Sequence, residues 1–200
     1  LNRIFEKNTL TTNLVGFFYS TVVTVAPMFV IIINLILMEY LLDFASVGYV
    51  TRELFSCTIL YTFIFSLLTA SPFNAVLSRY MSDVIYEERY QDILPCYHIG
   101  MLLNIGLSCL LGIPFCLWEH FVGKVPTAYV FCGFCGYISL VLVFYSMIYL
   151  SICKDYQRIS QYFFFGMLVA FVLALILHFI LKWETTWSML FSLTIGFFVT

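Results

Sequence analysis

The sequence predicts an all-α integral membrane protein, a bundle of six transmembrane helices in which the sixth helix is truncated. Of its 200 residues, 62% are hydrophobic and only 10% are charged, and the mean hydropathy is +1.00. Soluble domains are roughly half apolar and a quarter charged. The apolar residues also occur in long uninterrupted runs, and the charged residues fall between these runs. Together these observations place most of the chain in a lipid bilayer.

Five apolar runs are long enough to span a bilayer, and a sixth begins before the chain ends. A hydrocarbon core of about 30 Å requires roughly 20 residues of helix. The runs cover approximately residues 14–38, 54–78, 93–118, 126–153, 161–181 and 187–200. They are too long and too apolar on all sides for barrel strands, so backbone hydrogen bonding in lipid requires helices. Because the chain starts at Leu1 and stops inside the last run, we expect residues 1–200 to be the N-terminal bundle of a longer protein.

Connectors with two basic residues alternate along the chain with connectors that have one, and this alternation predicts the topology. One set of connectors carries six of them: Arg3, Lys7, Arg79, Arg89, Lys154 and Arg158. The other set carries three: Arg52, Lys124 and Lys182. The positive-inside rule places the richer set in the cytoplasm. We therefore expect a multi-pass protein of the cytoplasmic (inner) membrane with a cytoplasmic N-terminus.

Several classes of function find no support in the composition. Nine Lys and Arg against eleven Asp and Glu give a net charge of −2, which does not suit a nucleic-acid binder. The pair Cys132 and Cys135 has the CxxC spacing, but it lies inside an apolar run without a second pair, and we interpret both as packing residues. The three histidines share no ligand spacing, and no catalytic motif occurs. We expect no enzymatic activity, no catalytic residue, no metal and no cofactor.

Polar residues within the first two predicted helices are the best candidates for a functional path. Pro27 and Asn34 share a face of the first helix. The second helix carries Pro72 among the polar residues Ser66, Thr69, Ser71 and Asn74. Proline removes a helical hydrogen bond and lets a helix bend, as transporter helices do around a cavity. The alternative is a polar seam between packed helices, and the sequence leaves both interpretations open.

The connector SRYMSDVIYEERYQDILP, residues 78–95, holds the densest group of charges. If the helix continues past the membrane, then Arg79, Asp83 and Glu87 stack at four-residue spacing. A pair between Arg79 and Asp83 would contribute only about 0.3–0.5 kcal/mol at an exposed site. A solvated extension is the simpler interpretation. Arg79 nevertheless follows the polar stretch of the second helix directly, which makes it a candidate gate or anion contact.

This connector resembles the PelG family of membrane proteins in Pel exopolysaccharide export. Its Arg79, Tyr80, Asp83, Tyr86 and Pro95 match the family pattern. Two further segments are similar in the same order. Upstream, RIFEKNTLTTNLVGFFYSTVVTVAPMFV carries the likeness at Arg3, Phe5, Lys7 and Pro27. Downstream, YLSICKDYQRISQYFFFGM carries it at Lys154, Asp155, Tyr156 and Gly166.

The resemblance implies one half of a twelve-helix flippase-like transporter of the multidrug/oligosaccharidyl-lipid/polysaccharide flippase superfamily. It implies export of a polymer rich in N-acetylgalactosamine, in the context of biofilm formation, with a glycosyltransferase and a cyclic-di-GMP receptor as partners. On this hypothesis the substrate-path candidates are Asn34, Asn74 and Arg79. The helix-bend candidates are Pro27 and Pro72. The cytoplasmic connectors contribute Asp83, Tyr86, Glu87, Asp155 and Tyr156.

Two alternative functions remain open at this point. A cation-coupled antiporter of the same fold generally needs a carboxylate within the membrane, and the predicted helices contain Asp or Glu only near their ends. A scaffold that docks a polysaccharide synthase without transporting anything would tolerate changes at Asn34 and Arg79. Tyr61 and Phe65 are candidates for stacking on sugars, although such aromatics more often serve packing.

Overall fold

The computed structural model describes residues 29–152 and 156–200, and every regular element in these two ranges is a helix. Six α-helices follow one another: α1 Phe29–Leu41, α2 Tyr49–Tyr86, α3 Ile93–Phe121, α4 Thr127–Ile152, α5 Tyr156–Leu175 and α6 Thr185–Val199. Four helical segments are long and apolar enough to cross a membrane: α2, α3, α4 and Arg158–Ile180. The all-α membrane bundle predicted from the sequence is confirmed.

The second helix is longer than its apolar run. It has 38 residues, or about 57 Å at 1.5 Å per residue, against a bilayer core of about 30 Å. Hydropathy predicted a helix over residues 54–78. The charged segment that follows, residues 79–86, contains neither Gly nor Pro, so nothing in it ends the helix. The helix stops where Glu88 adopts a left-handed backbone with φ 58°. Its last two turns therefore project beyond the apolar layer.

Every described connector contains one residue with a left-handed backbone. These residues are Asp43, Glu88, Lys124 and Lys182, with φ values of 49°, 58°, 54° and 51°. A left-handed residue just past a helix end is a common way to reverse the chain. The resulting short turns make neighbouring helices antiparallel. Residues 42–48, 122–126 and 181–184 lie at one end of the bundle, called here the α3–α4 end, and residues 87–92 lie at the opposite α2–α3 end.

The fourth helix is the centre of the bundle, because it packs against α2, α3, α5 and α6. Its side chains at Leu140, Val141 and Tyr145 are almost completely buried. Most of the large apolar side chains of α3 and α5 instead face outward, as at Leu102 and Phe164. Such exposure suits contact with lipid tails, which leave no driving force to bury apolar side chains inside the protein.

Helices α5 and α6 approach each other closely at Gly166, Ala170 and Gly196. A Cβ atom added to Gly196 would lie 2.6 Å from the Ala170 Cβ and 2.9 Å from the Gly166 carbonyl oxygen. Small residues allow this distance between backbones, as they do at many membrane helix interfaces. Beyond this contact α5 ends in a π-helical turn, Ile176–Ile180.

Candidate functional site

A cleft of about 370 Å³ lies between α2, α3 and α4. Its α2 wall includes hydroxyl and aromatic side chains at Thr58, Tyr61, Thr62, Phe65 and Thr69. Each of these residues is three or four positions from another, so they share one face of the helix. Because of this spacing, α2 supplies both hydrogen-bonding groups and flat apolar surfaces to the cleft.

Aromatic rings from two helices form part of the cleft walls. The Phe65 ring lies 5.4 Å from the Phe115 ring on α3, centroid to centroid, and 6.1 Å from the Tyr61 ring. Tyr61, Phe65 and Phe115 are 47%, 39% and 40% exposed. Their faces are therefore only partly used for packing, and each can contact a molecule in the cleft.

A hydrogen bond closes the cleft toward the α2–α3 end. The hydroxyl groups of Thr69 and Tyr137 are 2.8 Å apart, and both residues are buried. Gly112 on α3 lets the rings of α4 come this close, since a Cβ atom there would lie 2.6 Å from Phe134 Cε2 and 3.1 Å from Tyr137 Cε1. We call the Thr69–Tyr137 pair the floor of the cleft.

A carboxylate and a phenol border the cleft at the α3–α4 end. Glu119 is partly exposed and forms no salt bridge within residues 29–152 and 156–200. The Tyr129 hydroxyl is buried and makes no hydrogen bond of ordinary geometry within the described chain. Thr58 lies beside it, but the Thr58 hydroxyl donates to the Leu54 carbonyl oxygen at 2.7 Å. This end of the cleft is its most polar part.

The lining is mostly apolar and aromatic, and its polar groups are hydroxyls and the Glu119 carboxylate. Pockets of this kind combine mostly apolar and aromatic walls with a few placed polar groups. Among the described residues that line the cleft there is no Lys, Arg or His. Binding of a phosphate would lack the cationic partners on which it usually depends.

Of the polar residues predicted on α1 and α2, Thr69 lines this cleft, whereas Asn34 and Asn74 do not. Asn34 is buried on α1, and its Nδ2 donates to the Met167 carbonyl oxygen of α5 at 2.7 Å. Asn74 is partly buried, and its Oδ1 has no hydrogen-bond partner in the described residues. Pro72 lies within α2, which continues through it to Tyr86. Pro27 falls outside the described residues.

The charged connector is helical as far as Tyr86, but its ion pairs differ from the expected one. Arg79 is exposed, and within the described chain it forms no pair with Asp83. Arg89 instead donates to Glu87 at 2.7 Å and to Asp92 at 3.3 Å. The reason is that the chain turns at Glu88, which brings the Arg89 side chain back toward Glu87.

The two tyrosines of the predicted connectors are placed differently. Tyr86 is 90% exposed at the end of α2. Tyr156 begins α5, and its side chain, like the whole of Asp155, lies outside what the structure describes. The substrate-path and connector roles of these residues stay predictions.

Sequence reasoning missed most of the cleft. Tyr61 and Phe65, proposed for sugar stacking, do lie in it, but Gly112, Phe115 and Tyr137 were not singled out. A usable signal was present on α2, where hydroxyl and aromatic residues recur every three or four positions. The partners on α3 and α4 carry no such signal, because apolar runs do not reveal which faces meet.

The cysteine pair on α4 is part of the helix packing. Cys132 is buried, and its Sγ lies 3.6 Å from the Thr194 hydroxyl of α6. Cys135 is partly buried one turn further along. No group of three or more His, Cys, Asp or Glu in residues 29–152 and 156–200 is placed to hold a metal ion.

The fold is that of a polytopic membrane protein with a cleft between three of its helices. The model of the PelG family, described as "Putative exopolysaccharide Exporter (EPS-E)", matches residues 1–200. The chain belongs to this family, and the resemblance seen in its connectors is confirmed. Comparisons with curated proteins and with solved structures each find no match.

Proposed function

We propose that the chain forms part of the membrane path for an exopolysaccharide, and that the cleft between α2, α3 and α4 holds sugar units in passage. Membership in an exporter family supports a polysaccharide substrate. The observation that carries the proposal is the lining of the cleft, in which Tyr61, Phe65 and Phe115 leave ring faces open beside the hydroxyls of α2. An aminosugar polymer of the Pel type is the expected substrate.

The chemistry of a sugar ring matches this lining. A pyranose has C–H groups on its faces, which pack on aromatic rings, and hydroxyls on its edge, which bond to Thr58 and Thr62. A transport path must also release what it binds, so its contacts have to be weak and repeated. The cleft offers a few exposed ring faces and hydroxyl groups and no basic cluster, so its contacts with a sugar unit are of this weak kind.

The distribution of charge supports the topology, and the family resemblance supplies the partners. We place the protein in the inner membrane as one bundle of a twelve-helix transporter, with its N-terminus and the α2–α3 end in the cytoplasm. Tyr86 is then exposed to the cytoplasm, and Asp83, Glu87 and Arg89 lie near it. This surface would face the glycosyltransferase and the cyclic-di-GMP receptor of the export complex, together with the connector at Asp155.

The cleft rings supply the first test of the proposal. We expect the double variant Tyr61→Ala, Phe65→Ala to lower surface polysaccharide about tenfold, because an aromatic contact is worth about 0.5–1.5 kcal/mol and about 1.4 kcal/mol is a factor of ten. The variant is expressed from the full-length gene in a deletion strain of its host. Extracellular and intracellular polymer and the membrane level of the protein are measured.

The matched control is Phe164→Ala, which removes an exposed ring of α5 away from the cleft. It should leave export at the wild-type level. Equal export in the double variant and the control would contradict the proposed role of the cleft. If the deletion leaves surface polymer unchanged and raises sensitivity to cationic drugs, the antiporter alternative is supported, with Glu119 as its carboxylate in the cleft.

Arg79 tests whether the α2–α3 end belongs to the path. We expect Arg79→Ala to lower surface polymer several-fold at a normal membrane level, since the exposed side chain has no ion pair in the described residues to lose. Arg79→Lys should retain export if the charge is what matters. Arg52→Ala, on the same helix at the opposite end, serves as the control. Normal export in Arg79→Ala would favour the scaffold alternative.

A further inference from the structure

A buried asparagine on α3 has both side-chain polar atoms without a partner. Asn104 is 0% exposed, and neither its Oδ1 nor its Nδ2 forms a hydrogen bond within residues 29–152 and 156–200. The nearest polar residue along the helix is already engaged, since the Ser108 hydroxyl donates to the Asn104 main-chain oxygen at 2.7 Å. An amide that is buried and unpaired destabilises a fold, and such a group requires an explanation.

The position of Asn104 relates it to the cleft. The buried residues of α3 are Asn104, Ser108 and Gly112, which are spaced by four and form one stripe along the helix. Gly112 lies against Tyr137, which forms the floor with Thr69. Eight residues of helix separate Asn104 from Gly112, or about 12 Å toward the α2–α3 end. Asn104 therefore lies beyond the floor, on the same stripe of α3 as Gly112.

We infer that Asn104 is a substrate-contacting residue in an inner subsite that the Thr69–Tyr137 floor closes in this structure. The inference rests on the proposed function and extends it to a second position along the path. When the floor opens, the amide would meet the sugar unit that lies next to the one in the cleft.

The amide also indicates the chemical class of that ligand. Its Nδ2 donates and its Oδ1 accepts, so a single chemical group satisfies both only if that group also accepts and donates. Sugar hydroxyls and acetamido groups have this property. A phosphate or carboxylate would use the donor alone, and an ammonium group would use the acceptor alone. The inner subsite thus selects uncharged sugar units.

The first experiment compares Asn104→Leu with Asn104→Ser in the full-length protein in its host. Leucine replaces the unpaired polar atoms by apolar ones of similar size, so we expect thermal stability in detergent to rise while surface polymer falls several-fold. Serine keeps one donor and acceptor and should retain more export than leucine. If Asn104 served packing alone, its replacement would not raise stability and lower export at the same time.

Two outcomes would overturn the inference. If Asn104→Leu exports normally, the amide does not contact the substrate. If it loses both stability and membrane level, the amide has a structural partner. The cleft variant Tyr61→Ala, Phe65→Ala distinguishes a failure of this inference from a failure of the proposed function. If export is reduced in the cleft variant but normal in Asn104→Leu, only the inner subsite is refuted. If export is normal in both variants, both proposals are refuted.

A second experiment measures whether the floor shields position 104 from a thiol reagent. In a full-length protein with its native cysteines replaced, Asn104→Cys should resist a small polar thiol reagent while the floor is intact. Adding Tyr137→Ala should make the same position reactive several times faster, at an unchanged membrane level. Equal reactivity with and without Tyr137 would show that the floor does not separate Asn104 from the cleft, and would overturn the inference.

Discussion

Replacing Gly196 by leucine is expected to prevent stable packing of α6 on α5 and to leave little folded protein in the membrane. Even the first added carbon would lie 2.6 Å from the Ala170 Cβ and 2.9 Å from the Gly166 carbonyl oxygen. Overpacking typically costs about 1–3 kcal/mol when side chains can move. Here one obstacle is main chain, so relief requires a shift of the whole helix, and the loss should reach or exceed the upper end of that range.

Gly106→Leu is the matched control for this variant. Gly106 also lies within a helix, but a Cβ there meets nothing within 4 Å. Leucine has the higher helix propensity, by about 0.8–1 kcal/mol, so this variant should be as stable as wild type or slightly more so. The measurement is the fraction of monodisperse protein that survives heating in detergent. Equal survival of the two variants would refute the close packing of α5 and α6.

Gly112→Leu should act on the cleft rather than on the fold as a whole. Its side chain would enter the space held by Phe134 and Tyr137, which lie 2.6 and 3.1 Å from an added Cβ. Rings can move, but a shift of Tyr137 breaks its 2.8 Å hydrogen bond to Thr69. We expect surface polymer to fall about tenfold, the factor that ~1.4 kcal/mol represents, with membrane levels reduced less than in Gly196→Leu.

The same control serves here, because Gly106 lies on α3 only six residues from Gly112. Export and membrane level are measured together for Gly112→Leu, Gly106→Leu and wild type. A fall in export that merely follows a fall in membrane level would assign Gly112 to folding alone. Normal export in Gly112→Leu would show that the floor need not be held in its present position.

Hydropathy can indicate where a helix lies, because the length of an apolar run is a property of the chain itself. The run at 126–153 corresponds to Thr127–Ile152, and the run at 187–200 to Thr185–Val199. The second helix shows the limit of that signal. Its segment 79–86 contains charged residues and lies outside the apolar run, so hydropathy did not place it in the helix, and the sequence analysis considered a helical extension there only as a condition.

Helix pairing was beyond the reach of the sequence. The hydrogen bond from Asn34 crosses to Met167, 133 residues away, and the one between Thr69 and Tyr137 spans 68 residues. In lipid no apolar stripe marks the inner face of a helix, since both lipid and core are apolar. Polar residues indicate that a partner exists, but only the packed bundle identifies it.

The uninterrupted course of α2 makes it a mechanical link between the two surfaces of the membrane. Its exposed end at Tyr86 and the cleft wall at Thr58 and Phe65 belong to the same 38-residue rod. A push or rotation applied at Tyr86 is therefore transmitted to the cleft wall without passing through a loop. Pro72 lies between the two, where the missing N–H makes the rod most compliant. The stiffness of that one turn sets how much of a force applied at Tyr86 reaches the cleft.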